Sequence, residues 1–326
     1  MVAITGANGL LGSFMVTQFH QAGIPVLPLR RNSTSAIPQD LQHLTWRECD
    51  ITDPVSVINA LEGVTTVIHT AARVSFNPRK RNELLEINVT GTKNIVDACL
   101  SLSIPKLIHI SSIAALGRKK EVRLMDENTH WVENDLNTDY AESKHLAELE
   151  VWRGAEEGLS VSVINPTVIL APANWERSSA QLFAYVWNER KFYSNTAINY
   201  VDVRDVVQSV LTLYKTNRPG ERYIVNAGQI PIKELFEKIA GQFNKKAPRF
   251  KVNPVVLYVL ALLEETRSRF TGKEPLITRQ TAKLARESFE YSNQKATREL
   301  GIQFRNLDET LEWCCRHYLR TYTTNK

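Results

Sequence analysis

Apolar positions follow two rhythms along the first 170 residues. Short, nearly continuous apolar runs at Val2–Thr5, 25–29, 44–48, Thr66–His69, Lys106–Ile110 and 160–164 predict strands. Between them, at 10–22, 53–63, 83–102 and 140–157, apolar residues recur at helical spacing. Pro54 sits just inside one helix start, and Gly23 and Gly158 sit just past two helix ends, where each residue costs least. Strands separated by helices imply right-handed crossovers and a parallel sheet. Strands apolar on both sides imply a sheet covered on both faces, so the expected class is α/β with a doubly wound parallel sheet.

After residue 170 the rhythm weakens. Helices are expected at 181–188, 233–243, 278–288 and 307–318, a strand running into a helix at 200–214, and another strand at 222–225. This predicts a smaller, mostly helical C-terminal lobe over the carboxyl edge of the sheet. The most apolar stretch, 254–263, is far short of the roughly 20 residues that span a bilayer. It is expected to be a buried helix of that lobe, with a membrane-surface helix as the alternative.

Composition changes this picture little. Of 326 residues, 43% are hydrophobic and 23% charged, which suits a globular chain. The net charge of +5 comes from 40 basic and 35 acidic residues scattered along the chain. It is compatible with an anionic ligand and too small to imply nucleic acid. Cys49, Cys99, Cys314 and Cys315 form no CxxC and are expected to be reduced thiols of a cytoplasmic protein. The histidines show no metal-ligand spacing, so no metal is expected. The chain enters a strand at once, so no signal peptide is expected.

Candidate chemistry begins at Thr5-Gly6-Ala7-Asn8-Gly9-Leu10-Leu11-Gly12, between the first strand and the first helix. Glycines there permit a tight turn and close approach of a pyrophosphate, which the free N–H groups of the helix start would receive. The context marks a Rossmann-type nucleotide fold over 1–170, with 200–228 returning to it, and a substrate lobe over 171–199 and 229–326. The second strand runs into Arg30 and Arg31, where an acidic residue would hold the ribose of NAD and a basic one the 2′-phosphate of NADP. NADP(H) is therefore favoured, and NAD(H) is the alternative. Tyr140 and Lys144 stand at i and i+4 of an expected helix and share one face. An ammonium beside a phenol favours phenolate, which suits proton transfer near neutral pH. Ser111 and Ser112 end the fifth strand, where a hydroxyl can stabilise charge developing on a carbonyl oxygen.

The glycine spacing, the strand-end serines and the YxxxK, in that order, resemble the extended short-chain dehydrogenase/reductase family, within the NAD-dependent epimerase/dehydratase superfamily. The branch most resembled is dihydroflavonol-4-reductase-like and 3β-hydroxysteroid dehydrogenase-like. The resemblance implies a Ser112, Tyr140, Lys144 catalytic set, with Ser111 beside the cofactor. It further implies cofactor contacts at Gly6, Asn8, Gly9, Leu10, Leu11 and Gly12, at Asp50 and Ile51, and at Thr70, Ala71 and Ala72. Asn88, Pro166 and Thr167 complete that set, and Val74, Phe76 and Ile113 are expected on the substrate side. The implied reaction reduces a ketone or aldehyde of a small, largely apolar substrate, or oxidises the alcohol. Nucleotide-sugar epimerases are the main alternative; their diphosphate-binding arginine has no counterpart in Thr196-Ala197-Ile198-Asn199-Tyr200, leaving Arg177, Arg190 and Lys191 as nearby cations. A silent NADP(H)-sensing protein is a third reading. Helices over 83–102 and 140–157 are the surfaces expected to form a homodimer.

Overall fold

The computed structural model describes residues 1–119, 122, 124–175, 179–271, 275, 277–285 and 287–323, with the backbone alone at 269 and 323. Seven strands build the main sheet: β1 (Val2–Thr5), β2 (Val26–Arg30), β3 (Arg47–Glu48), β4 (Thr66–His69), β5 (Lys106–Ile110), β6 (Ser160–Pro166) and β7 (Glu221–Val225). All pairings are parallel, in the order β7-β6-β5-β4-β1-β2-β3. The chain runs outward from β1 through β2 to β3, then crosses back to β4 on the other side of β1. The carboxyl ends of β1 and β4 therefore flank the point where strand order reverses, which is where open α/β sheets hold ligands.

Two apolar layers cover the sheet. On one face Met15, Val16 and Phe19 of the Leu10–Gln21 helix pack with Val206, Val210 and Leu213 of the Val203–Thr216 helix. On the other, Val57, Ile95, Val96, Cys99 and Val151 come from three further helices. A third core, built around Phe183, Leu235, Phe243, Leu311 and Tyr318, belongs to the lobe. The lobe also carries a small sheet of Val168–Leu170, Ala197–Asp202 and Gly228–Pro231. The late helix Gln294–Leu300 returns to the main body and contributes Ala296 and Leu300 to its core. All four cysteines are buried free thiols, and burial pushes Cys49 and Cys99 up to about 12.

Four elements depart from the sequence pattern. The third strand is two residues long rather than 44–48, because Trp46 donates its indole N–H to the Leu41 carbonyl and holds 44–46 in a loop. The long helix at 83–102 is interrupted by a π-helical stretch, Leu85–Thr90, centred on Asn88. The expected helix at 278–288 covers only Arg279–Leu284, closed at its start by a reciprocal Thr278–Thr281 cap; residue 286 lies outside the described residues. The apolar segment 254–263 is helical within Pro254–Thr271, but the expectation of a buried helix is wrong: Val255, Val256, Val259, Leu260, Leu262 and Leu263 are exposed. Among the described residues no helix is long and apolar enough to cross a membrane.

Candidate active site

The turn after β1 is shaped by glycine where nothing else fits. Gly6 has φ +62°, and a Cβ there would lie 2.8 Å from the Ala71 Cα. A Cβ on Gly12 would overlap the Gly6 carbonyl oxygen. The missing side chains let the turn, the helix start and the segment after β4 meet at backbone distance. Gly9 caps the Leu10–Gln21 helix without any side-chain hydrogen bond, and the first turn carries no acidic residue. The N–H groups of Leu10, Leu11 and Gly12 thus open onto the crevice, free to meet an anion. Asn8 leans on the far wall through an amide hydrogen bond to the Ala36 carbonyl, 3.2 Å.

The end of β4 is fixed to this turn by a buried polar chain. Thr5 Oγ1 contacts His69 Nδ1 at 2.7 Å, and His69 Nε2 contacts Thr92 Oγ1 at 3.1 Å. Thr92 donates its own hydroxyl to the Asn88 carbonyl at 2.6 Å, so it must accept from His69. His69 therefore carries its proton on Nε2, and Nδ1 accepts from Thr5. Thr5 Oγ1 in turn accepts the N–H groups of Thr70 (3.1 Å) and Ala71 (3.2 Å), while the Thr70 hydroxyl donates to the Thr5 carbonyl at 2.6 Å. Burial first, and the Lys144 charge second, push His69 down to about 3. Ala72 continues this segment at the exposed mouth of the crevice.

Asn88 is placed differently from the expected cofactor contact. It is 1% exposed and spends its amide on the chain: Oδ1 accepts Arg73 N–H (2.7 Å), and Nδ2 donates to the Arg73 carbonyl (3.0 Å) and to Ser143 Oγ (2.9 Å). It pins the segment after β4 to the helix that carries Tyr140, and the π-helical turn gives it the reach.

That helix, Asp139–Glu156, starts at Thr138, whose side chain accepts Ala141 N–H at 3.1 Å. Asp139 and Glu142 in its first turn suit the positive end of the helix dipole. Arg81 grips both, bidentately at Glu142 (2.5 and 2.8 Å) and at 3.7 Å from Asp139. So anchored, the helix aims Tyr140 at the end of β5. Phe76 lies edge-on to the Tyr140 ring, with centroids 5.9 Å apart. Burial pushes the Tyr140 phenol above its ordinary value, and a hydrogen bond from Ser112 draws it back. The expectation that Lys144 sets a lowered phenol pKa is not what the structure shows. Lys144, 2% exposed, donates its ammonium to the Ile110 carbonyl at 2.9 Å. Desolvation brings Lys144 down to about 8, opposed by the Glu148 carboxylate.

Ser112 caps the short helix Ile113–Leu116 by accepting Ala114 N–H at 3.2 Å. The Ser111 hydroxyl is buried beside it without a hydrogen-bond partner, facing the same strand end. Pro166 and Thr167 close the next strand end, where Thr167 N–H donates to the Val225 carbonyl at 3.1 Å. On the adenosine side Arg30 braces its own loop, donating to the carbonyls of Ser33 (3.0 Å) and Ser35 (3.4 Å), whereas Arg31 is exposed. Asp50 accepts from Thr52 N–H (3.0 Å) and hydroxyl (2.8 Å). The Ile51 carbonyl is held by Asn94 at 2.9 Å, and its side chain packs where a Cβ on Gly91 would lie. Asp53 caps the Pro54–Leu61 helix.

Two features escaped the sequence reading. Glu148, 2% exposed, accepts Asn165 Nδ2 at 2.9 Å and pairs with Arg222 at 3.0 Å; the same Asn165 amide donates to the Ser112 carbonyl at 3.0 Å. Its signal was the four-residue step 140, 144, 148 along one helix face. The other is a recess of about 300 Å³ lined by Ile113, the residue after Ser112, with Val168, Ile198, Leu284 and Phe289, and carrying Arg118, Asn199 and Glu287. Val74 stands exposed on the segment after β4. Arg190 and Lys191 are exposed on the lobe surface, and Arg177 lies outside the described residues.

The glycine turn with a bare helix start, facing a buried serine hydroxyl, fits a dinucleotide. Among the described residues no cluster of three or more His, Cys, Asp or Glu is placed to hold a metal. The chain resembles sterol demethylase protein B of Methylococcus capsulatus, at 27% identity over 92% of each chain. It is 30% identical to cinnamoyl-CoA reductase 2 of Medicago truncatula, over 74% of this chain and 76% of that one. The crystal structure of gox2253 superposes with a TM-score of 0.84 at 27% identity, covering 99% of this chain and 98% of the other. Residues 2–228 match the model of the NAD dependent epimerase/dehydratase family, and with the parallel seven-stranded sheet and its helical C-terminal part the chain belongs to that family, in its extended short-chain dehydrogenase/reductase branch.

Proposed function

We propose that this protein is an NADP(H)-dependent oxidoreductase that reduces a ketone or aldehyde of a small, largely apolar substrate. The observation that carries the proposal is convergence at the end of β5. Tyr140 stands near enough to Ser112 for the serine to draw its raised pKa back, and Lys144, one helical turn on, is bound to the carbonyl of Ile110, two residues before Ser112. The nicotinamide supplies and accepts hydride. Tyr140 gives its proton to the carbonyl oxygen as charge develops there, and Ser112 holds that oxygen in place. Lys144 gives one ammonium proton to the Ile110 carbonyl and has two more to hold the nicotinamide ribose. Asn165 and Glu148 hold the Ser112 backbone, and so act through Ser112.

Leu10, Leu11 and Gly12 receive the pyrophosphate. Arg31 meets the 2′-phosphate, because Arg30 is committed to its own loop. The recess at Ile113 takes the substrate, and its Val168, Ile198, Leu284 and Phe289 wall favours an apolar molecule whose polar end could meet Arg118, Asn199 or Glu287. Purified protein incubated with NADPH and a panel of aldehydes and ketones is expected to consume the cofactor. A retained cofactor, with a UDP-sugar converted and no net NADPH loss, would mark an epimerase instead. Arg31→Asp is expected to lower the preference for NADPH over NADH about tenfold, in line with loss of one charged contact. The paired outer faces of Gly91–Ser101 and Asp139–Glu156 form the homodimer surface in this reading, and a monomer mass in light scattering would remove that part.

A further inference from the structure

We propose that the Pro254–Thr271 helix and the ribbon leading into it dock this protein on an anionic bilayer surface. The helix is turned the wrong way for water. Its inward side carries Ala261, Glu265 and Ser268, all buried. Polar bonds fix that side to the body: Arg79 donates to the Ser268 carbonyl at 3.3 Å, and Glu265 accepts the backbone N–H and Nε of Arg279 at 2.8 and 2.9 Å. Outward stand Val255, Val259 and Leu263, 66%, 49% and 62% exposed, at four-residue steps along one stripe that Phe270 extends. A helix in water presents the opposite arrangement, so this outward stripe requires an apolar environment.

The ribbon joins the stripe. Phe192–Tyr193 pairs in parallel with Phe250–Lys251, and Val252 N–H donates to the Tyr193 carbonyl at 2.9 Å just before the helix starts. Phe192 and Phe250 stand exposed side by side, with ring centroids 6.0 Å apart. Around them Arg190, Lys191, Lys246, Arg249 and Lys251 are exposed. From residue 244 to 263 the sequence has four cations and no acidic residue. Apolar side chains bordered by lysine and arginine match a bilayer whose acyl boundary lies beneath anionic headgroups. A second copy fits worse, because a two-fold contact through this face would set the same cations against themselves.

This inference rests on the surface alone and not on the reaction proposed above. The test is co-sedimentation of the full chain with vesicles of phosphatidylcholine, with and without phosphatidylglycerol. Binding is expected to the anionic vesicles, to weaken with added salt, and to fall about tenfold or more in Val259→Asp/Leu263→Asp and, independently, in Lys191→Glu/Lys251→Glu. Circular dichroism and NADPH binding are expected to be unchanged in both variants, which separates lost docking from lost folding or a failed cofactor assignment. Absence of sedimentation with anionic vesicles, or sedimentation indifferent to both variants, overturns the proposal. So does a dimer mass in light scattering that Val259→Asp returns to monomer, because a second copy then covers the face.

Discussion

The crevice at the ends of β1, β4 and β5 and the outward helix Pro254–Thr271 invert the usual placement of side chains in opposite ways. In the crevice, polar groups go inside: Thr5, His69, Thr92, Asn88, Lys144 and Glu148 are all nearly inaccessible to solvent. Each is held by named partners, so burial costs little and geometry is fixed. On the helix, apolar groups go outside, and none of the body's cores covers them. The contrast shows that these six buried polar groups find their partners within the chain, whereas an exposed apolar stripe takes its partner from elsewhere.

Four substitutions probe that contrast, from the largest expected effect to the smallest. Removing the Tyr140 hydroxyl with Tyr140→Phe is expected to lower kcat about 10²–10⁴-fold, the range for loss of a positioned general acid. NADPH affinity, followed by fluorescence, should hardly move, since in the proposed reaction the phenol acts on the substrate oxygen.

The second concerns acid stability. His69 has an ordinary value of 6.5 and is held near 3 in the fold. The unfolded chain therefore binds the extra proton first, so stability present above about pH 6.5 is lost progressively as pH falls toward 3. The loss should reach a few kcal/mol, at roughly 1.4 kcal/mol for each pH step between the unfolded and folded values. Thermal midpoints measured across that window should fall, and the slope should be shallower in His69→Gln. An unchanged slope would show that other groups carry the acid sensitivity.

The third is Gly12→Ala. A methyl group overlapping the Gly6 carbonyl oxygen forces the turn apart. Overpacking of this kind costs about 1–3 kcal/mol, read as a lowered thermal midpoint together with weakened NADPH binding. The fourth is Val259→Asp, which should change stability in solution by no more than about 0.5 kcal/mol, as at ordinary surface positions. A loss of several kcal/mol on chemical denaturation would show that the helix face is packed in solution and would erase the contrast with the crevice.

The main sheet was legible because its pattern is redundant. Val2–Thr5, Thr66–His69 and Lys106–Ile110 are covered on both faces, so their apolar runs have one reading. The short edge strand Arg47–Glu48 has a neighbour on one side only, and a single indole hydrogen bond from Trp46 delays its start. Within the candidate site, the glycine turn and the step from Tyr140 to Lys144 are local and could be read from spacing. The contact of Phe76 with Tyr140, the clamp of Asn88 on Arg73 and the recess carrying Arg118 join residues far apart in the chain. Periodicity is silent about such pairs. Spacing also misled about the phenol: proximity of Lys144 suggested a lowered pKa, whereas burial dominates at Tyr140 and the ammonium is bound to the Ile110 carbonyl.

By itself the sequence determined the alternation of strands and helices, the turn where only glycine fits, and the placing of a phenol and an ammonium on one helix face. The alternation and the shared helix face depend on spacing within single elements, and the glycine turn on backbone sterics that the Ala71 backbone then makes binding. Tertiary structure alone decided which side of the Pro254–Thr271 helix meets the body, where the Lys144 proton is bound, and which polar groups lie buried together. Those outcomes depend on competition among surfaces brought together from remote parts of the chain, and a hydrophobic pattern specifies that a face needs cover without specifying what supplies it.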